Sequence, residues 1–411
     1  MNRIRQAVLA LWRDERGMAL PLALLALLVL VAQSSALLVI GSSEIQIAAN
    51  LRGSTQAQFL AEAGLEDAFN TLRTTPTLLT TNVPASMTTL AGLSGPGTAV
   101  QSFGSYSVQY QSAGANTVLV VATGTAGAAQ RVLRATLSSQ FTASDAFLTN
   151  GDLEISGNPT FNGACGTAHT NKDLEISGSP SLTTPATATG TYEGNSTYGQ
   201  GGQPKKTVPT INPASFLTAA QQTLPANQIY QMTSLLGLIG EVLDGNGNLL
   251  ALLLPGDSYR GWEFKLGTPR WDYNSNTNYD GTYYLQGDVK VSGSPGSSAT
   301  PWNTTLIATG NITVSGNATV TSHLKDTFLV AGLDITISGS PTQNTSGIIA
   351  AHEQIKISGN PTIKGYVVAE NATATSNTVT DDTLTGNLTI TFDCGLTPPL
   401  QGPLQFLAWG S

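Results

Sequence analysis

The sequence predicts an α+β protein: a long N-terminal helix with a small antiparallel β meander, followed by a parallel β-solenoid. Three observations carry that reading. Met18 to Ile40 is a run of 23 residues without a charged side chain, and helical patterning continues from it to about Leu72. Three alternating or apolar runs follow between 106 and 137. Six segments resembling Asp-Leu-Glu-Ile-Ser-Gly-Asn-Pro then recur through the body.

The helix comes first. At a rise of about 1.5 Å per residue, the apolar run alone crosses a hydrocarbon core of ~30 Å, and Met18 to Leu72 extends roughly 80 Å. Pro21 falls in the first turn, where its missing N–H costs little. Gln33, Ser34 and Ser35 sit mid-span, where small polar residues serve close helix–helix contact or bond back to their own helix. Beyond the span, Ile45, Ala48, Leu51, Phe59, Ala63, Phe69 and Leu72 fall on one side, the expected packing face for the domain that follows. Arg3, Arg5, Arg13 and Arg16 outweigh Asp14 and Glu15 before the run, whereas Glu44 is the first charge after it. Positive charge resists translocation, so the N-terminus is expected to stay cytoplasmic and the body to be exported.

Three readings of this terminus stay open. Ser34-Ser35-Ala36 offers a small-residue cleavage site for an ordinary secretory signal, although apolar residues 37–40 follow at once. A plain single-pass anchor is the second. The third is a leader cut on the cytoplasmic side after Gly17, with the apolar segment retained.

The leader ending in Arg16-Gly17, followed by Ala19-Leu20 and a Leu-rich span, resembles the class III leaders of type IV pilin-like proteins. Ala49-Asn50-Leu51-Arg52, Gln56-Ala57 and Ala61-Glu62-Ala63-Gly64-Leu65-Glu66 are similar to the N-terminal region of PilX-type minor pilins. The resemblance covers roughly residues 16–72. It implies that a prepilin peptidase cuts between Gly17 and Met18 and that the helix packs among other pilins, first in the inner membrane and then in a pilus or surface filament. Two positions depart from the pattern. Met18 stands where phenylalanine is usual, and Leu22 stands at the fifth mature position, where major pilins carry a glutamate. A subunit lacking that carboxylate is expected at a tip or in an initiation complex rather than along the shaft.

The chain then divides as leader 1–17, helix 18–73, meander 74–141, solenoid coils one and two 142–182, an insertion subdomain 183–283, coils three onward 284–395, and a tail 396–411. Tyr106 to Gln111, Thr117 to Thr123 and Gln130 to Leu137 read as the meander, with the lower helix as its cover. The repeats place glycine at 157, 178, 293, 316, 339 and 359, spaced by 20 to 23 residues within each block. That is one coil of a β-solenoid, with two aliphatics facing inward and Ser-Gly-Asn/Ser-Pro at the corner. Gly316 and Gly339 are expected at φ > 0. A second apolar run precedes several motifs, as in Phe328-Leu329-Val330-Ala331. The insertion holds the aromatic cluster Tyr259, Trp262, Phe264, Trp271, Tyr273 and Tyr279, read as the core of a small subdomain, with sugar stacking or partner gripping as the alternative. The tail ends in Phe406-Leu407-Ala408-Trp409 and caps the last coil or docks elsewhere.

No catalytic, cofactor or metal site is expected. Asp152, Asp173, Asp288 and Asp334 begin strands at equivalent corners, where turn capping accounts for them without acid–base work. His169, His323 and His352 share no ligand spacing. Asp244-Gly245-Asn246-Gly247-Asn248 starts like a calcium loop but lacks the later glutamate, and reads as a hairpin turn. Only 11% of residues are charged, net −8, with no basic patch for nucleic acid. Cys165 and Cys394 are a candidate disulfide if the body lies in an oxidising compartment, and two unpaired turn residues otherwise. Two rival functions remain: a membrane-anchored scaffold that polymerises as bactofilins do, and a carbohydrate-active β-helix enzyme. A surface or carbohydrate ligand goes with the adhesive version of the pilin-like reading.

Overall fold

The computed structural model describes residues 19–75, 77–80, 83–93, 103–114, 116–266, 270–373 and 381–410. The leader, Gly17, Met18 and Pro76 lie outside them. One helix, α1 (Ala19–Thr74), runs unbroken for 56 residues. It is the one helix among the described residues long and apolar enough to cross a membrane. The mid-span serines satisfy themselves on it: Ser34 Oγ donates to Leu30 O at 2.8 Å and Ser35 Oγ to Val31 O at 2.6 Å.

The foot of α1 lies on an antiparallel sheet of β1 (Thr88–Thr89), β2 (Ser105–Gly114), β3 (Thr117–Ala126) and β4 (Ala129–Gln140), in that order. The fifth strand is the tail. Gln401–Gly410 pairs antiparallel with β4, setting Phe406 opposite Leu137 and Trp409 opposite Ala135. It completes this sheet instead of capping the last coil.

The helix face that packs differs from the expected one. Ala57, Leu60, Ala61, Gly64, Leu65, Ala68 and Leu72 are buried, whereas Ile45, Leu51 and Phe59 are exposed. The reason is closeness of approach. A Cβ on Gly124 of β3 would sit 2.0 Å from Ala57 O, and one on Gly64 would sit 2.9 Å from the Tyr106 ring. Small residues at 57, 61, 64 and 68 allow that spacing, Leu60, Leu65 and the expected Leu72 pack beside them, and Ile45, Leu51 and Phe59 are left outside.

The remaining body is β-rich, with parallel sheets. Each repeat supplies strands to three faces, and equivalent strands pair in register from one repeat to the next. Ile312–Val314, Ile335–Ile337 and Ile355–Ile357 align Ile on Ile and Val on Ile, and their aliphatic ends are buried. On another face, Leu306 stands on Leu329 and Ala308 on Ala331.

The order of the rungs was not expected. Along one face it runs Tyr192–Gly194, Leu174–Ile176, Asp152–Gly157, Asp381–Gly386, Ile355–Ile357, Ile335–Ile337, Ile312–Val314, Asp288–Val291 and Arg270–Tyr273. The chain enters in the middle of the stack and proceeds to one end near residue 200. It then returns outside through 201–228 and proceeds in the same direction from the other end. Its last rung, Asp381–Gly386, pairs with its first, Asp152–Gly157. Coils two and three are therefore not neighbours. Nor is 183–283 a separate subdomain: parts of it are rungs, and Trp262, Phe264, Trp271 and Tyr273 belong to the same continuous core as Ile155 and Ile337.

The returning segment is tied down along its length. Lys206 Nζ meets the buried Asp145 at 2.7 Å, the Lys206 N–H donates to Asn171 Oδ1, and the Ile211 N–H donates to Glu370 Oε2. Asn212 then caps α2 (Pro213–Thr223) by accepting from the Ala214 N–H, with Pro213 opening the helix and Phe216 buried. This cover explains why Thr327–Ala331 and Ile348–Ala351 are buried at every position: one side faces the core and the other lies under the return.

The corner glycines are required for a different reason than expected. Gly316 and Gly339 do not have positive φ, although Gly157 and Gly359 do. Instead, a Cβ on Gly316 would lie 1.8 Å from Gly293 O, and one on Gly339 would lie 2.2 Å from Gly316 O. The rungs touch backbone to backbone at this corner.

Candidate assembly surface

The feature of α1 with most functional content is what leaves it uncovered. Its apolar side chains from Leu20 to Ile40 are exposed throughout, as are Ile45, Ile47 and Leu51. Leu22 is among them, and the first acid on the helix is Glu44. At the foot, Glu62, Leu65, Glu66 and Phe69 face Phe406 and Trp409 of the tail strand across a shallow groove. Phe69 and Phe406 stack at 5.0 Å with planes 6° apart. The foot is also pinned by Tyr106, whose hydroxyl donates to Asp67 Oδ2 at 2.9 Å. Burial first, then the bond to Asp67 and its charge, push the Tyr106 phenol up to about 12, so it remains a donor at ordinary pH.

Cys165 and Cys394, 229 residues apart, are disulfide-bonded with their Cα atoms 5.5 Å apart. The bond lies where the last rung meets the first, since Thr389–Thr391 pairs with Thr160–Asn162 and the Cys165 N–H donates to Phe392 O.

The aligned acids are occupied by the backbone. Asp152 Oδ1 accepts from the Asp173 N–H, Asp173 from Thr191, Asp288 from Asn311, and Asp334 from Gln354, each on the neighbouring rung. The Thr191 bond holds the Asp173 carboxyl below its usual range. Asp244 closes its own turn by accepting from the Asn246 and Asn248 N–H groups and the Asn248 amide, which hold its carboxyl low. His169 is enclosed by Thr187 and Asn171, and burial lowers its pKa, as it does for His323. His352 Nδ1 lies 2.7 Å from Glu370. Among the described residues no three His, Cys, Asp or Glu side chains converge as a metal site. Of the aromatic cluster, Trp262, Phe264, Trp271 and Tyr273 are fully buried and serve as core, whereas Tyr259 and Tyr279 are half-buried at its edge.

Sequence reasoning missed the tail strand, the return segment and the meeting of first and last rungs. One signal pointed to the return. Runs apolar at every position, such as Thr327–Ala331, belong to strands buried on both sides and so require an outer cover.

No protein-family model matches the chain, and no curated protein sequence matches it. Among solved structures, the crystal structure of the competence-associated pilin ComZ from Thermus thermophilus is similar at 14% identity, covering 87% of this chain and 97% of that one, with a TM-score of 0.30. That likeness is too loose to bear weight, and what stands is an α+β chain with one long N-terminal helix and a large β-rich region of parallel sheets.

Proposed function

We propose that the chain is a minor pilin-like component of a bacterial type IV pilus or related secretion filament. One observation carries this reading. A single 56-residue helix is locked to a small sheet at its foot by an Ala/Gly row, while its apolar span from Leu20 to Ile40 is bare. A helix of that kind has two successive environments open to it: the inner membrane, and then a bundle of similar helices. Prepilin peptidase and other pilins are the corresponding partners. Leu22 in place of an acid supports a position at a tip or initiation complex within this reading, since that side chain has no carboxylate to neutralise a neighbour's terminal amine in an apolar core. The bond between Cys165 and Cys394 fits an exported body.

In this reading the stacked rungs form a three-sided parallel β-solenoid, displayed as a spacer, tip or adhesive element. No catalysis is assigned to it, because the aligned acids that an enzyme would use are engaged with backbone N–H groups. The test is Gly17→Asp in the native host. Loss of leader removal and of filament incorporation is expected; unchanged mature mass and incorporation would overturn the proposal.

A further inference from the structure

The sheet buried beneath the return segment continues past its cover. Tyr284 pairs with Ile307, Ile307 with Val330 and Val330 with Ala350, and this outer row is sheltered by 201–228. Beyond Tyr284 the sheet is extended by β5 (Ile229–Leu235), β6 (Ile239–Leu243) and β7 (Leu249–Leu253), which form antiparallel hairpins. Their inner side is core: Met232, Val242 and Leu253 are buried, and Gly240 lies against Phe264 and Trp271. Their outer side starts from Gln231 beside Tyr284 and carries Thr233 and Glu241 among half-buried Ile239 and Leu243 and a set of exposed leucines.

The exposed part of that side is a leucine surface. Leu252 stands opposite Glu241, and a bulge between Val242 and Leu243 accompanies the exposure of both Leu249 and Leu250. Leu254 continues the column, and the β5–β6 turn adds Leu235, Leu236 and Leu238. Leu236 is 87% exposed at φ +54, a left-handed conformation that glycine or asparagine adopts more readily. A turn chosen only for folding has no use for an exposed leucine there.

We propose that this face is a self-association surface, on which a second copy of the chain seats its own leucine face about a two-fold axis. The area fits a weak dimer. A leucine carries on the order of 100 Å² of apolar surface, so seven that are 44% to 87% exposed present about 400 Å² per copy. The pair buries about 800 Å² of side chain before any backbone is counted, below the roughly 1,200 Å² of stable interfaces and within the range of weak, transient ones. A lipid surface is the poorer occupant. Glu241 and Thr233 sit amid the leucines, and a carboxylate without a cation is costly in hydrocarbon but tolerated at a hydrated protein rim. A two-fold pairing also needs no second kind of partner, because the same column supplies both sides.

The foot of α1 packs on β2, β3, β4 and the tail strand, none of which carries these leucines, so the failure of this proposal and that of the filament reading are separable. The experiment uses the full chain in detergent, with mass followed by sedimentation velocity from about 1 to 100 μM, where weak interfaces of this size associate. Leu252→Asp and Leu249→Asp, both at exposed positions, are expected to weaken the dimer at least tenfold with thermal melting unchanged, whereas association through α1 would be indifferent to them. A monomer throughout, or a dimer unaffected by both changes, overturns the proposal. Flotation with phosphatidylcholine vesicles that is lost in Leu252→Asp, without a change in mass, would also overturn it and assign the face to lipid.

Discussion

The Thr149 hydroxyl and the buried Asp382 carboxyl lie within hydrogen-bonding distance, 2.5 Å, across the seam where the last rung meets the first. Thr149 Oγ1 is also 2.6 Å from Asn371 Oδ1, an oxygen that accepts from the Gly151 N–H. The single Thr149 hydroxyl proton is shared between the Asp382 and Asn371 oxygens, so it serves an ionised Asp382 only in part. Burial pushes the Asp382 carboxyl up to about 7, outweighing the bonds from Thr149, the Ile355 N–H and Asn371.

The sign of the resulting pH dependence follows. From its ordinary value of 3.8 up to about 7, the folded state holds a proton that the unfolded state has released. The contribution of Asp382 is complete below that range and drains away as pH rises through it. Asp382→Asn should therefore lose less melting temperature between pH 4.5 and 8 than the native chain, by thermal denaturation. Equal slopes would contradict the cluster as described.

The disulfide should matter for the same seam. It closes a loop of 229 residues, and opening such a bond costs about 2–4 kcal/mol. Cys165→Ser with Cys394→Ser should lower denaturant stability by that order, and proteolysis should cut first near the 381–394 rung.

At the stacked corner, Gly316→Ala should cost on the order of 1–3 kcal/mol by overpacking, because its Cβ meets the carbonyl of Gly293. Ile337→Asp should cost more, as it places a carboxylate at a fully buried position. Glu154→Gln, on the outer side of its strand, should be near neutral. Melting of the three variants orders them, and equal damage from Glu154→Gln would reverse the inner and outer faces.

On α1, Phe59→Ser should leave melting unchanged and reduce filament incorporation, whereas Gly124→Val should loosen the helix foot by forcing a side chain into Ala57. Thermal denaturation and the yield in sheared filaments separate the two effects.

Much of this was legible because burial leaves a period. Ile335 and Ile337 alternate with Thr336, and the same pattern returns every 20 to 23 residues, so rungs and inward faces could be read directly. Their order could not. A rung such as Asp152–Gly157 pairs as well with Asp381–Gly386 as with its sequence neighbour, since near-identical edges carry no address. The packing face of α1 was misjudged because Phe59 and Leu51 are large, while the sheet selected for the smallness of Ala57, Ala61 and Gly64. The tail strand was hidden for a similar reason: Phe406 and Trp409 look like a cap until β4 supplies an open edge for them.

The most direct test of the filament reading is the N-terminal sequence of the protein extracted from membranes. A start at Met18 is the expected result, with the whole apolar half of α1 retained. A start at Met1 would mean an uncleaved anchor, and one near Leu37 an ordinary signal peptide; either would contradict assembly through this helix.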